Sequence, residues 1–338
     1  MSQNHRLPDD RFRVAEIVFW LLPVVAYFAL PDYLLLGSQI LITALFAVSL
    51  DLILGYAGIV SLGHAAFFGL GAYAAGLLAS HGWSEPISGL IAAGAVAGVV
   101  AAPVALLVVR GHDLTRLMIT LGIGLMLYEA ANKAAFITGG VDGLSGLVVG
   151  KVLGVFEFGL DGRVAYVYSL VVLFVLFMFL RHLVNAPFGL SLRGIRENPR
   201  RMPAIGTPVR ARQIMAFTIG GAIAGVAGAL FAQTTKFVGL DVLGFPRSAE
   251  LLIMLILGGT GRLYGALIGA AVFMIAQDKL SDLNPVYWQF WIGLLLVFVV
   301  LFASEGLLGG LERLQLRIGR QRGRRVEHSA APGGPPSQ

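Results

Sequence analysis

Cysteine is absent from all 338 residues, and charged residues make up only 13% of them. The first absence excludes a disulfide framework, a thiol nucleophile and any cysteine metal site. The second excludes an ordinary soluble enzyme, because soluble domains carry roughly 25% charged residues. Nucleotide-binding text is missing as well. No G-x-x-x-x-G-K-[ST] loop occurs; Gly150-Lys151-Val152 comes nearest and lacks the earlier glycine and the final hydroxyl. There is no H-E-x-x-H, no dinucleotide fingerprint and no G-x-S-x-G, and the six histidines are scattered without ligand spacing. If this chain takes part in ATP-driven transport, the ATPase is another chain.

What fills the sequence instead is apolar: 57% of residues are hydrophobic. Runs close to the 17–25 residues that cross a bilayer recur at 14–30, 34–54, 59–79, 87–109, 114–136, 165–183, 211–235, 247–259, 262–278 and 287–308. The spacing predicts an all-α polytopic membrane protein with about ten segments. The eighth and ninth form one stretch broken by Gly258-Gly259-Thr260-Gly261-Arg262, so either reads as a half-helix. With ten crossings and a cytoplasmic N-terminus, 19 of the 25 Lys and Arg fall on the inner side. That bias predicts both termini cytoplasmic, and it explains the net charge of +6 as membrane orientation, with no nucleic acid as partner. Tyr33, Trp83, Tyr166, Tyr168, Tyr287 and Trp288 fall at the outer interface of this topology.

The organisation that follows is a cytoplasmic segment 1–13 leading into an uncleaved anchor, a membrane domain 14–310, and a tail 311–338. The tail is basic, then Gly/Pro-rich, and is expected to be disordered. Residues 137–164 make a periplasmic loop whose Asp161-Gly162 reads as a hairpin turn. Ionisable residues within or beside the spans are few. Asp51, Glu129, Glu250 and Glu305 fall away from clear mid-depth, which leaves a proton relay without support.

Two segments carry more than apolarity. The glycine-dense run from Gly55 to Gly71 also holds Ser61 and His64. Such text suits a broken helix lining a pathway, because irregular backbone at membrane depth survives only where protein or a watery cavity satisfies it; tight packing by small residues is the plainer reading. Asp51, Tyr56, Gly58, Ser61, Gly63, His64, Phe67 and Tyr73 are the pathway candidates. The second segment, Gly189 to Gly206, begins like a short amphipathic helix, with Leu192 and Ile195 three apart beside Arg193 and Arg196. Such a helix suits a groove on a partner protein. Close helix approach is expected at Gly221-xxx-Gly225 and at Gly261-xxx-Gly265-xxx-Gly269.

Taken together these residues resemble the branched-chain amino-acid ABC importer permeases (LivH/LivM type, closer to LivM). The resemblance is carried by Gly55 to Tyr73, by Thr138-Gly139-Gly140-x-Asp142-Gly143-Leu144, by Arg193-Gly-Ile195-Arg196-Glu197-Asn198 with Ala204-x-Gly206, and by Leu257-Gly258-Gly259-x-Gly261-x-x-x-Gly265 with Gly269. It extends from about residue 35 to 305. Pro199, Pro203 and Gly194 depart from the pattern and imply either a shorter coupling helix or an altered docking of it. The resemblance implies a type II-like permease in the inner membrane, a second permease of LivH type, a periplasmic binding protein, and two ATPases that hold ATP and Mg. Arg193, Ile195, Arg196, Glu197, Asn198, Ala204 and Gly206 would carry the ATPase contact. This chain itself would hold no cofactor or metal and have no catalytic residue. Urea, short amides or aromatic acids are alternative cargoes, and an ion-coupled secondary transporter is the alternative of another class.

Overall fold

A computed structural model describes residues 14–297, apart from Leu160, Val286, Gln289, Leu295 and Leu296. The expected cytoplasmic segment 1–13, Glu305, the tail 311–338 and much of the tenth expected span lie outside the described residues. Helices are the extended elements within them. This is the arrangement in which a chain inside hydrocarbon satisfies its own backbone.

Helix α1 (Val14–Ala29) leads through a 3₁₀ turn at Pro31–Tyr33 into α2 (Leu34–Asp51). A π-helical turn over Leu52–Tyr56 and an irregular stretch over 57–64 separate α2 from α3 (Ala65–Ser80). Then come α4 (Pro86–Val108), α5 (Asp113–Lys133) and the single turn α6 (Ala135–Thr138). After a long loop follow α7 (Arg163–Asn185), α8 (Pro187–Glu197), α9 (Val209–Thr235), α10 (Phe245–Gly258) and α11 (Leu263–Leu283).

Among the described residues, six stretches are long and apolar enough to cross a membrane: Pro31–Tyr56, Pro86–Val108, Asp113–Lys133, Arg163–Asn185, Val209–Thr235 and Leu263–Leu283. The expected third span, 59–79, is irregular from 59 to 64 and helical from Ala65 onward. The eighth is a 14-residue helix, about 21 Å long at 1.5 Å per residue, and so shorter than a ~30 Å hydrocarbon core. The expected hairpin at Asp161-Gly162 does not form; Gly162 directly precedes α7.

Helix α2 sits at the centre because it is apolar on nearly every side, and such a helix is buried all round. Every residue from Leu41 to Asp51 is buried, with α7, α9 and α11 packed about it. Lipid is as apolar as leucine, so close backbone approach rather than water exclusion holds these helices together. The α4–α9 contact shows it: Ala101 faces Gly221, where an added Cβ would stand 2.5 Å from the alanine methyl. Gly225 packs against Ala93 and Ala97 on α4 and against Gly71 of α3. Helix α5 is the reverse case, burying only Thr120 and Gly124 within the chain.

The aromatic residues divide. Tyr33, Trp83 and Tyr287 are exposed, as an interface belt requires, but Tyr166 and Tyr168 are buried. Tyr166 packs on Gly37 and donates its hydroxyl to the Pro23 carbonyl at 2.8 Å, so it joins α7 to α1 and α2.

Candidate functional site

The break after α2 begins where its hydrogen-bond ladder widens. Ala57 N–H donates to Leu52 O and Ile59 N–H to Ile53 O. Gly58 then takes φ +69, a left-handed backbone that glycine adopts without penalty, and the chain turns out of the helix. Irregular backbone in the interior needs partners, and they come from distant polar side chains. Thr120 Oγ1 accepts Leu62 N–H at 3.2 Å, and Ser248 Oγ accepts Ala65 N–H at 2.9 Å. Neither residue stood out in the sequence; the available signal was an isolated hydroxyl inside an apolar helix.

His64 is fully buried and stacks on Phe46 at 5.4 Å. The Ser49 hydroxyl donates to Phe46 O at 2.6 Å and lies 2.8 Å from His64 Nε2. With its one proton given to the carbonyl, Ser49 accepts from Nε2–H, and His64 Nδ1 has no hydrogen-bond partner among the described residues. Ser61, Phe67 and Tyr73 are buried as well, and Gly63 lies against the Thr120 carbonyl.

Helix α8 does not present the face the sequence suggested. Phe188, Leu192 and Ile195 are buried within the chain, where α8 meets α7, α9 and the π turn. An apolar stripe already covered by its own chain has no surface left for a partner groove, so Ile195 is an anchor for α8. The helix ends at Glu197, before Pro199, and Asn198 Oδ1 accepts the N–H of Arg201. Gly194 leaves room for Met202, whose Sδ would lie 2.8 Å from an added Cβ. Beyond the helix, Ala204, Ile205 and Gly206 are exposed, Ile205 by 73%.

The arginines of α8 point into the break. Arg193 stands over the Tyr56 ring, 5.1 Å from its centroid. Arg196 runs past Gly58, and its Nη1 donates to the Gly55 carbonyl. From the opposite side Gly261 N–H donates to Asp51 Oδ1 at 2.7 Å. Gly261, φ +80, belongs to the turn between α10 and α11. It is therefore not a helix-packing residue, whereas Gly265 and Gly269 do press α11 onto α10. Gly55, Tyr56, Arg193, Arg196, Glu197 and Gly261 surround a cavity of about 530 Å³. Of the eight pathway candidates, Tyr56 lines it.

Residues 33–300 match the family described as branched-chain amino acid transport system / permease component. The chain belongs to this family. Over 309 residues the permease is 28% identical to the high-affinity branched-chain amino acid transport system permease protein LivM of Escherichia coli, covering 84% of this chain and 71% of that one. It is 30% identical over 262 residues to the autoinducer 2 import system permease protein LsrC of an Enterobacter species, covering 73% and 71%. A probable LivH of Methanocaldococcus jannaschii is 30% identical over 129 residues, covering 37% and 38%. The likeness to LivM is thus the more extensive, as the motifs implied. No solved structure matches the chain.

The permease is a multi-pass inner-membrane transport subunit of an ABC importer. The motif at 138–144 has a structural part to play: Thr138 Oγ1 donates to Ala131 O at 2.6 Å, and Leu144 pairs with Val238 through two backbone hydrogen bonds. That pairing ties the loop to the segment between α9 and α10.

Proposed function

We infer that this permease imports branched-chain or related hydrophobic amino acids as one of two different membrane subunits. A periplasmic binding protein delivers the cargo, and two ATPases carrying ATP and Mg work from the cytosolic side. The observation that carries the reading is the elbow at 187–206: a helix packed on the broken α2–α3 junction, followed by an exposed turn. That arrangement suits a part moved from outside. Glu197, Asn198, Ala204 and Gly206 belong to the stretch that meets the ATPase, while Arg193, Ile195 and Arg196 tie the elbow to the permease. The run Asp51–Tyr73 lies along the pathway.

The names LivM and LivH support the cargo class and the second permease. The likeness to LsrC, named as a permease of an autoinducer 2 import system, favours a second reading, a cargo of another kind. Purification of the detergent-solubilised complex followed by reconstitution tests both. Vesicles energised with ATP are expected to accumulate labelled leucine when the binding protein is present, and collapse of ion gradients should leave uptake running. Uptake that stops with the gradient would overturn the importer mechanism, and uptake of other solutes alone would overturn the cargo.

A further inference from the structure

We propose that Asp51 and Arg196 form a cytosolic latch: together they tie the end of α2 to the elbow helix α8 and to the α10–α11 turn, and the elbow's movement releases it. The inference rests on the reading that an ATPase moves the elbow. It goes further by giving Arg196 an internal partner in place of an external one.

Three segments that are remote in sequence converge here. Asp51 and Gly261 are 210 positions apart, and Arg196 and Gly55 are 141 apart. Both contacts join a polar side chain to backbone that no helix ladder satisfies, and the guanidinium of Arg196 makes its bond roughly twice as strong as a neutral one. The site is shaped to admit them. A Cβ on Gly55 would lie 2.8 Å from the Asp51 carboxyl carbon, one on Gly58 3.2 Å from Arg196 Cγ, and one on Gly261 2.6 Å from Arg196 Nη1. Asp51 is fully buried, whereas Arg196 is exposed along much of its length. An outward pull on α8 therefore parts Arg196 from Gly55 first. The cavity beside Tyr56 then opens toward the buried Ser61–His64 stretch, and Asp51–Gly261 remains as the pin that guides reclosure. Asp51 Oδ2 has no hydrogen-bond partner among the described residues. Arg196 and Arg193 lie within electrostatic reach of its carboxyl.

The absence of cysteine permits a direct test. Ser61→Cys is nearly isosteric and places one buried thiol behind the latch. In inside-out vesicles holding the whole complex, a membrane-impermeant maleimide should label it slowly. Adding Arg196→Gln should speed labelling about tenfold, the scale of one lost hydrogen bond to a charged group, with the ATPase subunits still bound. Arg196→Lys keeps the charge but not the planar fork, and should fall between; it serves if the glutamine variant fails to assemble. Unchanged labelling in the assembled variants overturns the latch. Loss of the ATPases from an otherwise intact permease also overturns it, because Arg196 would then be a partner contact. Labelling needs no cargo, so an error in the assigned substrate leaves this result interpretable, and failure of any ATPase to co-purify would count against the importer reading separately.

Discussion

The Asp51 carboxyl oxygen Oδ1 accepts the N–H of Gly261 at 2.7 Å, joining the end of the central helix to the turn between α10 and α11. That N–H lies in a left-handed turn, φ +80, with no helical carbonyl for a partner. Asp51→Ala strands a buried donor and should lower stability by about 1–3 kcal/mol. Asp51→Asn keeps an acceptor oxygen and should lose less. Thermal unfolding of the two purified variants, compared at one detergent concentration, gives the ranking; equal losses would mean that the hydrogen bond to Gly261 contributes nothing.

The α4–α9 seam makes a second, independent prediction. Gly221→Ala places a methyl 2.5 Å from that of Ala101 and should destabilise the permease by about 1–3 kcal/mol through overpacking. Ala101→Gly should recover a large part of that loss when combined with it. The double-mutant cycle reads the coupling directly, and simple additivity would show that the helices relax apart instead.

Much of this seam was legible in the sequence. The Gly221-xxx-Gly225 spacing has one physical use in an apolar helix, and the structure uses it so. The helix break at 57–64 was legible for the same reason, since glycines crowded around Ser61 and His64 suit neither a lipid-facing nor a regular helix. The direction of α8 was not. An amphipathic pattern shows that Leu192 and Ile195 share a face, but not whether that face is covered by a partner or by α7 and α9 of the same chain. Gly261 was misread on similar grounds: i, i+4 spacing is shared by helix seams and by a turn that happens to precede one. Tyr166 and Tyr168 matched an interface belt by position, yet Tyr166 packs inward on Gly37 and α1, and Tyr168 is buried beside Phe158. Nothing local in the sequence reveals that Thr120 and Ser248 satisfy backbone more than fifty residues away.

Outside the membrane helices the charges follow simpler rules. Lys151 Nζ lies 2.7 Å from Glu157 Oε1, with both side chains exposed. The hydrogen bond and charge of Lys151 hold the Glu157 carboxyl below its ordinary value. A depressed carboxylate stabilises the fold above its unfolded value, and that contribution is lost as pH falls through the folded one. An exposed pair of this kind contributes little. Lys151→Gln should therefore lower the neutral-pH melting temperature only slightly, and that difference should vanish as pH falls through the folded Glu157 value and shrink with added salt.

Ile205 offers the clearest way to separate assembly from coupling. It is 73% exposed at the tip of the elbow, beside exposed Ala204 and Gly206, and it packs against none of the buried core. Exposed apolar groups on a short turn do not stabilise their own chain, so Ile205→Asp should leave the permease's melting temperature within experimental error. If the elbow is where an ATPase seats, the same change puts a charge into an apolar contact. Truncation of a well-packed interface anchor costs upward of ~2 kcal/mol, so the ATPases should dissociate from the complex at least about 30-fold more readily. Arg196→Gln is predicted to do the opposite, keeping the ATPases while loosening the cytosolic closure. Size-exclusion profiles of the two variants, run beside maleimide labelling of Ser61→Cys, should therefore give a crossed pattern. Two variants losing the ATPases alike would place Arg196 and Ile205 on one external surface, and the division of the elbow into an inner and an outer face would fall.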